Sequence, residues 1–330
     1  MEWIPFLGGT IIFIIDMSKK IKNYYCPIHK LELKFDNQKY YCLENECSNF
    51  GKLTPLKFLD NKPILIPFIE DDVVQNYDTF INDPVIVQRS KNKFVKFVNK
   101  ILRPTNTITS KNIQFLISLL KKNNQKSILI VGSGSVGHAS DDLYNHEFDI
   151  TGIDIYNSDT VNILADAHYM PFPDAYFDGI VIQAVLEHVV NPTKVVSEIY
   201  RVLKKDGLVY SEIPFMQQVH EGAYDFQRYT ILGHRILFKE FAMISNDSID
   251  GPGTALSWSL RYFLMAFTRS KIISKIIILP FDTILRFIDR YLTTSKSRHD
   301  SPSGTFFLGS KSKNHKVDTV KIINSYNGLL

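Results

Sequence analysis

The chain has 330 residues, of which 45% are apolar, and a formal net charge of +4. This length and apolar content exclude a wholly disordered chain and allow one large domain beside a smaller one. Its three cysteines, Cys26, Cys42 and Cys47, crowd into one short segment, which argues against a disulfide framework and for a reducing, cytoplasmic compartment. The charges are segregated. Residues 89–126 hold ten Lys or Arg and no acid, whereas residues 127–193 hold ten acids and no Lys or Arg. The first block can attract an anion and the second a cation. The plainer reading of the basic block is a solvated face beside an unrelated acidic domain.

In chain order, residues 1–22 open with the apolar run Trp3 to Ile15. It contains Pro5, Gly8 and Gly9, is too short to span a bilayer, and is preceded by Glu2 rather than by basic residues. It is not read as a signal peptide, and translation beginning at Met17 would explain it as well. Residues 23–70 show short β-like runs around Cys26-x-x-His29, Cys42 and Cys47, four ligands of the kind zinc prefers on two knuckles. The second knuckle has four intervening residues where two are usual. The alternative is therefore a ribbon held by its core alone. Residues 71–123 read as a basic helical connector: Phe94, Val95, Phe97, Val98, Ile101 and Leu102 recur at helical spacing until Pro104, and a second helix runs from Ile113 to Leu120.

Residues 124–311 alternate strand and helix signals. Apolar strands are expected at Ile128 to Val131, Ile150 to Ile153, Val161 to Leu164, Gly179 to Ile182 and Leu208 to Ile213, with a helix at Pro192 to Leu203. Such alternation predicts an α/β fold with a doubly wound, mostly parallel sheet. Only eleven residues separate Asp154 from Asp166, so the crossover between the second and third strands is expected to be a loop or a single turn. An apolar, basic helical insertion is expected at about 254–295, interrupted at Pro280. A closing antiparallel strand follows at Thr305 to Leu308, and a tail at 312–330.

The run from Ile128 to Gly137 is a strand entering a glycine-rich turn, which lets the backbone approach a ligand and offers a helix N-terminus to an anion. Asp154 follows Gly134 by twenty residues, at a strand end where a carboxylate accepts ribose hydroxyls. Asp166 ends the next strand, where it could accept a bond from an adenine amino group; as a plain turn cap it would look the same.

The series Ala165-Asp166-Ala167-His168, Pro171-Phe172, Phe177-Asp178, Leu186-Glu187-His188, Arg201-Val202-Leu203 and Gly207-Leu208 resembles the signature set of class I S-adenosylmethionine-dependent methyltransferases. It is most similar to the bacterial group related to the ubiquinone and menaquinone methyltransferases. The resemblance implies a Rossmann-like methyltransferase fold on a seven-stranded sheet, with S-adenosylmethionine as cofactor. Gly132, Ser133 and Gly134 would lie against its methionine portion, Asp154 with Ile155 at the ribose, and Asp166 with Ala167 at adenine. Asp206-Gly207 stands where the family has a double glycine. The cysteine segment, with the trailing Lys62-Pro63-Ile64-Leu65-Ile66, resembles the zinc-ribbon module found before many bacterial methyltransferase domains, which implies Cys26, His29, Cys42 and Cys47 as ligands of a structural zinc.

The expected catalytic residues are His220, oriented by Glu221 or Asp225, and His188 at the carboxyl edge of the fourth strand. Tyr224, Asp225 and Arg228 are expected at the acceptor, although an Asp225–Arg228 pair would equally lock the loop. The expected reaction is methyl transfer to an O or N atom of a small-molecule, glycan or lipid-linked acceptor, with peripheral membrane association through about 255–292. The rival readings are an RNA methyltransferase using the basic block, with nucleic acid the weaker partner, and a non-catalytic scaffold. A short-chain dehydrogenase is suggested by Tyr200-x-x-x-Lys204, but that pair precedes its strand where dehydrogenases place it after.

Overall fold

The computed structural model describes residues 23–44, 47, 50–51, 56–67, 107–135, 137, 139–313 and 315–329. The N-terminal apolar run, the first connector helix and most of the basic block lie outside the described residues.

Five parallel strands make the centre of the sheet: β5 (Ser127–Val131), β6 (Asp149–Asp154), β7 (Ile163–Ala165), β8 (Phe177–Gln183) and β9 (Leu203–Pro214). β5 lies between β6 and β8, with Val131 level with both Ile153 and Ile182. Its side chains alternate between two buried faces, which is why the strand reads as a continuous apolar run. Ile128 and Ile130 pack with Ile113, Leu116 and Leu120 of α1 (Thr107–Lys122), whereas Leu129 and Val131 share a core with Val195, Ile199 and Val202 of α3 (Pro192–Val202). The short α2 (Asp141–Tyr144) precedes β6. α3 starts where its sequence says it should: Asn191 accepts the Lys194 N–H at 3.1 Å and Pro192 occupies the first turn.

β11 (Gly304–Ser310) pairs antiparallel with β9, and β10 (Ala242–Asp250) antiparallel with β11. On the other side, the hairpin β3 (Lys57–Leu59) and β4 (Lys62–Leu65) extends the sheet, with β4 parallel to β7. Among the described residues the sheet therefore has nine strands, ordered β10-β11-β9-β8-β5-β6-β7-β4-β3. The two beyond the seven expected come from the cysteine segment. A separate hairpin, β1 (Lys34–Asp36) with β2 (Lys39–Tyr41), turns at Asn37 and Gln38, both with positive φ. Cys26, Leu33, Phe50 and Leu65 join the same core as Leu129 and Ile182, and Lys30 pairs with Glu198 at 2.8 Å.

The β6–β7 crossover contains no helix, in keeping with its length. Asp206 takes φ +60°, the left-handed conformation that a glycine would adopt at no cost and that Asp tolerates better than most residues.

After α4 (Ile231–Leu237) and β10, a helical hairpin precedes the last strand: α5 (Pro252–Thr268) and α6 (Lys271–Leu292). The interruption expected at Pro280 is absent. The helix runs through it because Pro280 is exposed, so its ring and missing N–H disturb only a solvent-facing turn. The real break lies at Arg269, with φ +53°. A terminal helix, α7 (Thr319–Asn324), follows β11.

Candidate active site

The carboxyl ends of β5 to β9 form one edge, and the candidate residues gather there. Beyond Val131 the chain turns through Gly132, at φ +79°, whose added Cβ would collide with Val185. The N–H groups of Gly132 and Ser133 donate to Ile153 O at 2.9 and 3.0 Å, which holds the turn against β6. Asp154, the last residue of β6, closes the arrangement: its Oδ2 accepts the Gly134 N–H at 2.7 Å and its Oδ1 the Tyr156 N–H at 2.9 Å. A Cβ on Gly134 would stand 2.7 Å from that Oδ2, so the carboxylate and the bare turn require each other. Burial raises the Asp154 carboxyl above its ordinary pKa, against the pull of these N–H groups. Ile155, half-buried, packs with Val161 and Leu164.

On the neighbouring strand, Asp166 caps the turn Ala167–Tyr169. Its Oδ1 accepts from the His168 N–H at 2.8 Å and lies 2.7 Å from His168 Nδ1, while His168 Nε2 accepts the Asn191 N–H at 3.2 Å. The accepted bond fixes the proton on Nδ1, so His168 holds Asp166 in place and leaves Oδ2 outside both bonds. Ala167 is buried beside it. Sequence reasoning assigned His168 no role; its signal was a histidine two residues after an expected ligand.

Beneath the turn runs a polar chain that the sequence did not announce. Ser140 donates to Gln183 Oε1, Gln183 Nε2 to Glu212 Oε2 at 2.8 Å, and Thr109 and Tyr210 to Glu212 Oε1 at 2.7 and 2.5 Å. It joins the ends of β8 and β9 to α1.

A second group of side chains at this edge comes from the turn Leu186–His188 after β8 and the loop after β9. His188 Nδ1 lies 2.7 Å from Tyr224 O, and His188 Nε2 lies 3.2 Å from His220 Nε2. Asp225 orients His220, with Oδ2 at 3.1 Å from Nδ1, whereas Glu221 is exposed at the start of a short turn. Burial opposes ionisation of Asp225, yet the Arg228 pair and the His220 N–H together pull it down to about 2. Arg228 chelates Asp225 and donates to Gln217 O, Gln218 O and Gln227 O, so its fork braces the loop from within. Burial lowers the His188 pKa. Glu187, absent from the expected site, is fully buried with neither carboxyl oxygen hydrogen-bonded among the described residues, and burial pushes it up to about 8. A charged residue at the end of an apolar strand was the available signal.

Tyr200 and Lys204 lie elsewhere: Lys204 pairs with Asp178 at 2.9 Å, at the amino end of β8, the opposite edge of the sheet.

The cysteine segment makes a second cluster. Cys26 Sγ stands 3.9 Å from Cys47 Sγ and 3.7 Å from His29 Nδ1, and Cys42 Sγ stands 3.4 Å from His29 Nδ1. Tetrahedral zinc with its usual bond lengths puts ligand atoms roughly 3.5–3.8 Å apart, so the donors fit that ion. Burial pushes the Cys26 thiol up to about 12, and bound zinc would hold it as thiolate.

Residues 129–211 match the family described as Methyltransferase domain. Over 70 residues the chain is 39% identical to the ubiquinone/menaquinone biosynthesis C-methyltransferases of Neisseria meningitidis and Neisseria gonorrhoeae, covering 21% of this chain. The chain thus spans 29% of the length of the curated relatives it matches. Among solved structures, it is similar to a SAM dependent methyltransferase from Archaeoglobus fulgidus, with 16% identity, TM-score 0.42, and 67% of this chain and 100% of that chain covered. It is also similar to phosphoethanolamine N-methyltransferase 2 of Haemonchus contortus, with 14% identity, TM-score 0.37, and 67% and 60% covered. Both structural likenesses are too loose to carry detail.

Proposed function

We propose, from the premise that residues 129–211 are a class I methyltransferase domain on a Rossmann-like sheet, that the chain transfers a methyl group from S-adenosylmethionine to an O or N atom of a lipid-linked or glycan acceptor at a membrane surface. The observation that carries the cofactor half is the clasp of Asp154 on the Gly134 N–H, with the Asp166 carboxylate at the end of the adjacent strand. When bound there, the cofactor supplies an activated methyl group on a sulfonium. Gly132, Ser133 and Gly134 would leave room for its amino-acid portion, Asp154 would accept from its ribose, and Asp166 would accept from its adenine. Calorimetry tests this: S-adenosylmethionine binds the wild type, and Asp154→Ala lowers affinity at least about 100-fold, since the ribose loses a buried charged acceptor. Wild-type protein that binds no cofactor would sink the reading.

The chain's own part in the transfer is positioning and proton removal. The Asp225–Arg228 brace holds the loop after β9 over the edge, and the His188–His220 pair stands where a hydroxyl or amine would lose its proton. A carbon acceptor, as in the relatives' name, is the alternative that product analysis would separate.

Membrane attachment is supported by the α5–α6 hairpin. Phe263, Phe267, Ile272, Ile276, Phe287 and Tyr291 are each at least 66% exposed, beside the exposed cations Arg269, Lys271 and Lys275. No described helix is long and apolar enough to cross a membrane, so contact would be superficial. Flotation with vesicles containing anionic lipid is expected to carry the protein, and Phe267→Glu with Ile272→Glu to abolish it. A wild type that stays at the bottom of the gradient would refute attachment.

A further inference from the structure

The two histidines facing the acceptor present each other with the wrong atoms. Tyr224 O only accepts, so His188 Nδ1, 2.7 Å away, carries a hydrogen. Asp225 is held ionised by Arg228 and takes the His220 N–H at 3.0 Å, so His220 Nδ1 is likewise the donor at 3.1 Å. In the neutral rings both Nε2 atoms are then lone pairs, pointed at each other across 3.2 Å. Glu187 adds a third ligand atom. Its Oε1 lies 3.6 Å from His188 Nε2, too far for a hydrogen bond, and the buried carboxyl group has no hydrogen-bond partner among the described residues. The three donor atoms fall within 4.8 Å of one another. A buried carboxyl group without a hydrogen bond, beside two nitrogen lone pairs, is a set of atoms that a cation between them would satisfy.

We propose that Glu187, His188 and His220 bind a divalent transition-metal ion at the acceptor side of the methyl-transfer site. Two imidazoles and one carboxylate are a ligand set that zinc, cobalt, manganese and iron accept, with coordination positions left open. The separation of the two nitrogens suits it, because ligands at the usual zinc–nitrogen length stand roughly 3.3 Å apart in a tetrahedron. The outer partners suit it too. Metal-bound histidines characteristically donate their remaining N–H to a carbonyl or carboxylate, here Tyr224 O and Asp225. The backbone of Glu187 also anchors the loop that carries Asp225, its O accepting the Phe226 N–H at 2.8 Å. This deepens the methyltransferase reading and rests on it only for its consequence. With the ion bound, the two Nε2 lone pairs are ligands rather than bases, and an acceptor hydroxyl at an open position would lose its proton to solvent at lower pH while its oxygen is held as a metal ligand.

The site is separable from the cysteine cluster by spectroscopy, since cobalt on thiolates absorbs strongly in the near ultraviolet and cobalt on nitrogen and oxygen does not. Cobalt titrated into the full chain is expected to show one equivalent with thiolate absorption and a further equivalent without it. His220→Gln and Glu187→Gln should each weaken the further equivalent at least about 100-fold, beyond the loss typical of an outer-shell change, and leave the thiolate band in place. Metal content of the purified proteins, wild type against His220→Gln, gives the same comparison without stripping the ribbon. If wild type binds only the thiolate equivalent, the histidines share a proton instead and the proposal fails; it fails equally if the further equivalent survives both substitutions. Cofactor calorimetry on the same samples keeps the two claims apart, because metal binding without S-adenosylmethionine binding would overturn the methyltransferase reading and leave the site standing.

Discussion

His234 shows how one residue ties three elements and makes stability depend on pH. It sits on α4, wholly buried, with Nδ1 at 2.9 Å from Thr305 Oγ1 on β11 and Nε2 at 2.9 Å from Ser211 Oγ on β9. Burial lowers its pKa from 6.5 to about 3. The folded state therefore resists a proton that the unfolded chain accepts. The stabilisation is complete above pH 6.5 and is lost as pH falls toward 3, by up to about 1.4 kcal/mol per pH unit. Urea unfolding at a series of pH values between about 7 and 4 should show this slope in wild type and a slope smaller by one proton in His234→Gln. An unchanged slope would mean the ring is protonated in the fold. Legibility at this scale followed local spacing. The Gly134–Asp154 relation is written into the sequence because only a glycine admits that carboxylate, whereas the choice of Asp225 over Glu221 as the partner of His220 depends on how a loop folds back. The burial of Glu187 was equally hidden, since one letter cannot say which side of a turn faces the core.

Elements were readable where one physical signal dominated. β5, β8 and β9 are buried on both faces and so are continuously apolar, and α3 carries both its cap and its apolar stripe. β10, one of the seven strands expected, was given no range by its residues: it is an edge strand whose sequence, Ala-Met-Ile-Ser-Asn-Asp-Ser-Ile-Asp, is largely polar, and pairing with β11 rather than burial defines it. The α5–α6 hairpin was anticipated as apolar and helical, but not the contact that fixes it. Asp289 of α6, 5% exposed, reaches the start of α5 and accepts from the N–H groups of Gly251, Gly253 and Thr254 at 3.2, 2.8 and 2.8 Å, and from Thr254 Oγ1 at 2.7 Å. It caps one helix from the other, with its charge at the positive end of the α5 dipole. Asp289→Ala strands those donors in a buried place and is expected to cost about 2–4 kcal/mol by chemical denaturation. Phe263→Ser, on the exposed side of α5, should change stability by less than about 0.5 kcal/mol. Equal effects from the two would show that the hairpin is not held by this cap.

At the scale of the whole molecule, the cysteine segment belongs to the sheet. β4 continues the sheet beside β7, Leu65 is fully buried in the core that holds Leu129 and Ile182, and Lys30 reaches both Glu198 and Met170 O. Glu198 is itself chelated by Arg201, whose other donors reach Phe172 O and Asp174. Burial would raise Glu198, but Arg201 and Lys30 together hold it below its ordinary value. This union could not be read from the residues, because strand pairing between distant segments leaves no local pattern. Elements that share one core unfold together. Calorimetry of the intact chain should therefore show one transition for the cysteine segment and the sheet. Cys42→Ser, which removes one of the four side chains gathered with Cys26, His29 and Cys47, should lower that whole transition. With an unfolding entropy of about 2.1 cal/mol/K per residue, a loss of about 3 kcal/mol corresponds to a fall of roughly 4 °C for a chain of 330 residues. A module merely tethered to the sheet would instead melt in an early separate step, leaving the main transition of Cys42→Ser where the wild type has it.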